Sequence, residues 1–128
     1  MSKQPIFCDD VNKPGGPFTH AVRAGDFVYL SGATPKRADG TPVEGDFVAQ
    51  ARATFDNLKT VAEAADASLD DAVRVGVYLR SMDNFQQMNA LYSEYLGDRT
   101  TARTTLQADL PGFEIEIDAV LYTPSHEG

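Results

Sequence analysis

The amino-acid sequence predicts an α+β fold, a two-layer sandwich in which two helices cover one face of a mixed sheet in the order ββαβαββ. Three observations predict it. Apolar residues recur at helical spacing in two segments, and they alternate with polar ones before, between and after those segments. No linker, repeat or low-complexity run divides the 128 residues, so 1–128 is expected to be a single domain.

The elements follow in order. Pro14-Gly-Gly-Pro17 makes an early irregular loop. His20-Ala-Val-Arg23 and Phe27-Val-Tyr-Leu-Ser31 read as short strands joined by the turn Ala24-Gly-Asp26, and Ala38-Asp-Gly-Thr41 reads as the next turn. From about Asp46, residues Val48, Ala51, Phe55, Leu58, Ala62 and Ala65 draw one stripe down the longest helix. After Asp70-Asp71 the period changes: Val73, Val75, Val77 and Leu79 alternate with Arg74, Gly76, Tyr78 and Arg80, as in a half-buried strand.

Asn84 is placed to cap a second helix carrying Phe85, Met88, Tyr92 and Tyr95, with Gly97 as its stop. Ala102 to Gln107 is rich in Thr and reads extended, and Leu110-Pro111-Gly112 turns. Phe113, Ile115, Ile117, Ala119 and Leu121 then alternate with Glu114, Glu116, Asp118, Val120 and Tyr122 in a last strand. The sheet face away from the helices carries Phe27 or Val28, Tyr78, Val120 and Tyr122, so self-association is expected to cover it.

Composition narrows the function. Hydrophobic residues at 42% and charged residues at 23% are ordinary globular usage, which excludes a disordered or fibrous chain. Met1-Ser2-Lys3-Gln4-Pro5 shows no apolar signal-peptide core, and no stretch approaches the roughly 20 apolar residues of a membrane span. No membrane association and a cytoplasmic location are therefore expected. The lone Cys8, in an N-terminal strand, has no second cysteine for a disulfide or thiolate site. His20 and His126, the latter in the polar tail Thr123-Pro-Ser-His-Glu-Gly128, are too few for a histidine-rich metal centre. No metal is expected. Eleven Lys and Arg against 19 Asp and Glu leave a net charge of −8 with the basic residues scattered singly, which weighs against nucleic acid as a partner.

Several short motifs stand in series: Pro14-Gly-Gly-Pro-Phe-Thr-His-Ala-Val22, Leu30-Ser-Gly32, Gln50, Asn57-Leu58, Asn89-Ala-Leu-Tyr92, Ala102-Arg-Thr-Thr105, Leu110-Pro111 and Glu114-Ile-Glu-Ile-Asp118. In that order, from about Pro14 to Tyr122, they resemble the RidA/YjgF family. The resemblance implies a chorismate-mutase-like fold and a homotrimer with active sites at subunit interfaces. It also implies hydrolysis of reactive 2-imino acids or their enamine tautomers, of the 2-aminoacrylate or 2-iminobutanoate type, to 2-keto acids and ammonia, with no cofactor.

The same resemblance assigns residues to roles. Arg103 stands where the family places the arginine that grips the substrate carboxylate, a task suited to a planar guanidinium with two parallel donors. Outside that motif, an arginine in an acidic chain reads as a surface ion pair. Glu116 aligns with the family's acidic residue, and burial in a cleft would lift its pKa toward neutrality and make it a workable acid and base. By pattern alone, Glu114, Glu116 and Asp118 share one side of the strand and read equally as a solvated face.

Phe18 and Ser31 fall where the family lines its cleft, and read equally as a loop anchor and a strand terminus. Asn89 reaches the cleft or bonds backbone, and Tyr92 reads as core or interface. Thr105 lies close to the expected carboxylate. Relative to the best-known branch, Phe18, Thr101 and Thr105 stand in place of Tyr, Pro and Cys, and His20 lies near the position of its Gln, which bears on substrate rather than fold. His20 introduces either a titrating group or a structural one. Two alternatives stand beside the broad deaminase: a non-catalytic module binding small carboxylates, and a deaminase dedicated to one pathway, such as 2-aminomuconate breakdown.

Overall fold

In the computed structural model of the chain, residues 2–124 are described, and they form one six-stranded mixed sheet with two helices packed on it. In chain order the elements are β1 (Gln4–Ile6), β2 (Ala21–Ala24), β3 (Phe27–Ala33), α1 (Phe47–Ala64), β4 (Ala72–Leu79), α2 (Phe85–Leu96), β5 (Ala102–Gln107) and β6 (Ile115–Tyr122). The strands lie in the order β1-β2-β3-β6-β4-β5. The α+β sandwich expected from the sequence is therefore present, with one further short strand at its start. β1 has three residues and contains Pro5, too little for an alternation to register.

Topology follows from connection length. β2 and β3 join through a two-residue turn with Gly25 at a φ of 61°, the left-handed conformation that glycine adopts without a Cβ penalty. β4 and β5 run parallel, which requires a long crossover, and α2 supplies it. As a consequence, α2 packs back over the strand that follows it.

The layers are held by burial of one face. Val28 and Leu30 of β3, Val75, Val77 and Leu79 of β4, and Ile115, Ile117, Ala119 and Leu121 of β6 are buried against Ala51, Phe55, Leu58 and Ala62 of α1 and Met88 and Leu91 of α2. Each large side chain removed from water contributes about 1.5–3 kcal/mol, which far outweighs single surface contacts. Phe55 stacks on Tyr95 with ring centroids 4.8 Å apart, tying α1 to α2.

Two local expectations are corrected and one open alternative is resolved. Val73 leaves the buried stripe, because the β4–β6 ladder shifts register between Ala72 and Arg74, turning Ala72 inward and exposing Val73. Asn84 makes no capping bond; it ends a short 3₁₀ turn, Met82–Asn84, and Ser81 Oγ accepts the Asp83 N–H there at 3.1 Å. Val28 is buried, so it is Phe27 that faces away from the helices, with Tyr29, Tyr78, Val120 and Tyr122. His126 and the end of the expected polar tail lie outside the described residues.

Candidate active site

The end of β3 opens a cleft. Its ladder with β6 is regular to Leu30 and shifts before Ala33, so Ser31 and Gly32 leave the sheet geometry. Ser31 Oγ donates to Thr19 O at 2.6 Å and its N–H to His20 O at 3.0 Å, which fastens the Pro14–His20 loop to the strand end. His20 is a clasp: Nδ1 accepts the Cys8 N–H at 2.9 Å, leaving the Nε2–H to donate to Asn12 O at 2.8 Å. Both ring nitrogens are thus used in holding backbone. Asn57 of α1 donates to Thr34 O and Lys36 O at 2.9 and 2.8 Å, pinning the loop after β3. The resulting cleft has a volume of about 250 Å³, and Phe18, Ser31, Gly32, Asn57, Phe113 and Glu116 are among its walls.

The acidic residues, equivalent by pattern, are separated by the fold. Glu114 precedes β6; its N–H goes to Gln50 Oε1 at 2.9 Å and its carboxylate approaches Arg80 at 3.9 Å. Glu116 and Asp118 lie on the open face of β6, which runs between β3 and β4. They lean to opposite sides. The Glu116 carboxylate lies over Gly32 of β3, where a Cβ would overlap its Oε2 and stand 2.9 Å from Cδ. Asp118 lies over Gly76 of β4 and accepts the Gly76 N–H at 3.1 Å and the Tyr78 hydroxyl at 3.0 Å.

Burial in the cleft, and after it the charge of Asp118, pushes the Glu116 pKa above the usual carboxylate range. The Tyr78 hydroxyl is pushed up as well, by burial first and then by its bond to Asp118. Glu116 is therefore the carboxyl of the cleft whose protonated form the fold favours, and desolvation is the main cause.

Arg103 lies elsewhere. On the edge strand β5 it turns toward α2, where Nη1 donates to Asn89 Oδ1 at 2.9 Å and rests 3.8 Å from Met88 Sδ. The guanidinium lies 4.8 Å from the Tyr92 ring centroid and 5.7 Å from that of Phe85, while the Tyr92 hydroxyl is hydrogen-bonded to Thr101 Oγ1. Among the described residues no carboxylate stands within ion-pair distance of Arg103. Two residues on, Thr105 Oγ1 is buried without a hydrogen-bond partner. Asn89, Tyr92, Thr101 and Arg103 border a second depression, of about 370 Å³.

The residues expected at the site thus divide in two. Phe18, Ser31 and Glu116 line the first cleft, Asn89 and Arg103 the second, with Thr105 beside Arg103 on β5; the two depressions share no lining residue, and β4 runs between β5 and β6. Asn89 bonds the Arg103 guanidinium rather than backbone. Sequence reasoning missed Gly32, Phe113 and the Tyr78–Asp118 pair. The signal was a glycine inside or ending a strand, which marks close approach of another group. Among the described residues no group of three or more His, Cys, Asp and Glu side chains is gathered to hold a metal.

The family described as endoribonuclease L-PSP matches residues 10–123. The chain is 39% identical to a RutC family protein of Pyrococcus horikoshii over 94% of its length and 98% of the relative's. It is 38% identical to the mitochondrial protein mmf2 of Schizosaccharomyces pombe over 94% and 98%. Among solved structures, RidA from an Antarctic Psychrobacter superposes with a TM-score of 0.86 at 32% identity, covering 93% of this chain and 98% of that one.

Proposed function

The chain belongs to the endoribonuclease L-PSP family, that of the RidA and YjgF proteins, and from that premise we propose that it hydrolyses reactive 2-imino acids and their enamine tautomers to 2-keto acids and ammonia. One observation carries this reading: a partly buried guanidinium, braced by Asn89 and stacked on Tyr92, that has no carboxylate partner among the described residues. An arginine held in place without an anion is a receptor for one, and a small 2-imino acid presents a single carboxylate.

In this reading the protein is a homotrimer, and the seam between protomers brings the Arg103 depression of one against the Glu116 cleft of the next. Arg103 holds the carboxylate, with Thr105 beside it, and Phe18 and Ser31 border the reacting end. Glu116 as carboxylate takes a proton from a water attacking C2 of the iminium. The carbinolamine then collapses: the proton held by Glu116 and the carbinol O–H proton pass to the nitrogen, the C–N bond breaks as the C=O forms, and the nitrogen leaves as ammonium. A raised pKa suits a group that must both accept and return a proton. The chemistry calls for no cofactor. A cytoplasmic location belongs to the same proposal, and no helix among the described residues is long and apolar enough to cross a membrane.

The test is the decay of imines made in situ by an amino-acid oxidase or a threonine dehydratase. Arg103→Ala is expected to lower kcat/KM by about 10- to 150-fold, since a hydrogen bond to a charged group is worth about 1.5–3 kcal/mol. Turnover by the wild type no faster than buffer, with calorimetric binding of 2-oxobutanoate retained, would select a carboxylate-binding module instead. RNA cleavage surviving repurification and lost in Arg103→Ala would select a nuclease, against which the net charge of −8 argues.

A further inference from the structure

We propose that Gly32 is a positioning residue for the reaction: its missing Cβ leaves the space in which the Glu116 carboxylate lies across the end of β3 and is presented to the cleft. The inference rests on the catalytic reading of Glu116.

A side chain on the open face of a central strand ordinarily stands perpendicular to the sheet, into the surroundings. Glu116 instead lies sideways over its neighbour, which is possible only where that neighbour has no side chain: an ideal Cβ on Gly32 would overlap Glu116 Oε2 and stand 2.9 Å from Cδ and 3.1 Å from Cγ. Gly32 has no conformational reason to be glycine, since its φ is outside the left-handed region occupied by Gly25, Gly40, Gly45, Gly97 and Gly112. Nor does its own environment demand smallness from the backbone side, because the three nearest heavy atoms are all from Glu116. What glycine provides at this position is room for one carboxylate.

The groups facing that carboxylate are Asp118 on its own strand, Tyr78 opposite it on β4, and His20 and Lys36 among the residues around the cleft. Leaning toward β3 turns Glu116 away from Asp118, which leans toward β4, and toward the more enclosed cleft wall. An added methyl at residue 32 would meet only the far end of a flexible side chain, so the substitution Gly32→Ala displaces the carboxylate without disturbing backbone. The displaced group stands up from its own strand, out of the cleft that buries it.

Two readouts test this in the intact protein. The first follows the Glu116 carboxyl by carbon-13 NMR titration, its resonance identified by loss in Glu116→Gln. Gly32→Ala is expected to bring its midpoint down toward the ordinary carboxylate range while the melting temperature stays near that of the wild type. An unchanged midpoint overturns the proposal, whatever happens to activity. The second is imine turnover: Gly32→Ala is expected to lower kcat on the order of 10²-fold, the lower end of what a positioned acid–base group supplies, with KM little changed. Adding Glu116→Gln to Gly32→Ala should then cost little more. A raised KM with unaltered kcat and an unaltered midpoint would assign Gly32 to substrate space and sink the positioning role. Should the midpoint fall in Gly32→Ala while Glu116→Gln alone turns over like the wild type, the seating stands and the catalytic role of Glu116 falls.

Discussion

Glu116 and Arg103 illustrate opposite ways in which a fold prepares a charged side chain. Arg103 is held by aromatic and amide contacts and has no carboxylate partner among the described residues. Glu116 is drawn into partial burial beside a second carboxylate, so the fold favours its protonated form. The sign of the linkage follows. Because folding raises the Glu116 pKa, its contribution to stability is present below the ordinary glutamate value and is lost as pH rises through the raised one. Glu116→Gln, uncharged throughout, should match the wild type in melting temperature at low pH and exceed it increasingly as pH climbs through that window, levelling off above it. A pH-independent difference between the two melting curves would contradict the raised value. In turnover, the acidic limb of the kcat/KM profile should sit above the ordinary carboxylate range and vanish in Glu116→Gln.

At the scale of elements, residues that look like site motifs are partly construction. Asn57 spends both amide protons on carbonyls of the loop after β3, and Gln50 takes the N–H of Glu114 at the entrance to β6. These bonds hold the mouth of the cleft to α1. Asn57→Ala leaves the Lys36 carbonyl without a donor and Thr34 O with only the Lys36 N–H, and should cost about 1–3 kcal/mol in urea unfolding, with a loss of kcat/KM as the cleft loosens. Asp46→Ala supplies the contrast. Asp46 caps α1 by accepting the Ala49 N–H at 3.0 Å and lines neither depression, so its loss should cost about 1 kcal/mol with activity unaltered. Equal losses of activity in the two variants would mean that stability alone governs both.

For the whole molecule, the division of the site is the main consequence. The open face of the sheet exposes Tyr29 by 48%, Tyr122 by 47% and Leu106 by 44%, an apolar surface that a monomer would leave wet. A homotrimer would cover it and join the two depressions. The prediction is complementation: Arg103→Ala and Glu116→Gln, each impaired on its own, should recover activity when unfolded together and refolded as mixed oligomers. With equal mixing about one-quarter of the seams pair an intact Arg103 with an intact Glu116. Sedimentation should give three times the chain mass, and absence of recovery in oligomers shown to be mixed would place each site within one chain.

The layered fold was legible because alternation and helical stripes are local, and burying one face of each element leaves little choice of layers. β5, both helices and the turn at Gly25 lie where those patterns put them. Arg103 and Glu116 were legible as residues only through the series of motifs around them. Pattern could not separate Glu116 from Glu114 and Asp118, since period two gives all three one side and says nothing of their neighbours. Those neighbours come from strands distant in the chain, Gly32 beside Glu116 and Gly76 with Tyr78 beside Asp118, and only strand pairing brings them together. A side chain's charge state depends on what surrounds it in space, so composition and order name the acids while tertiary packing selects one of them.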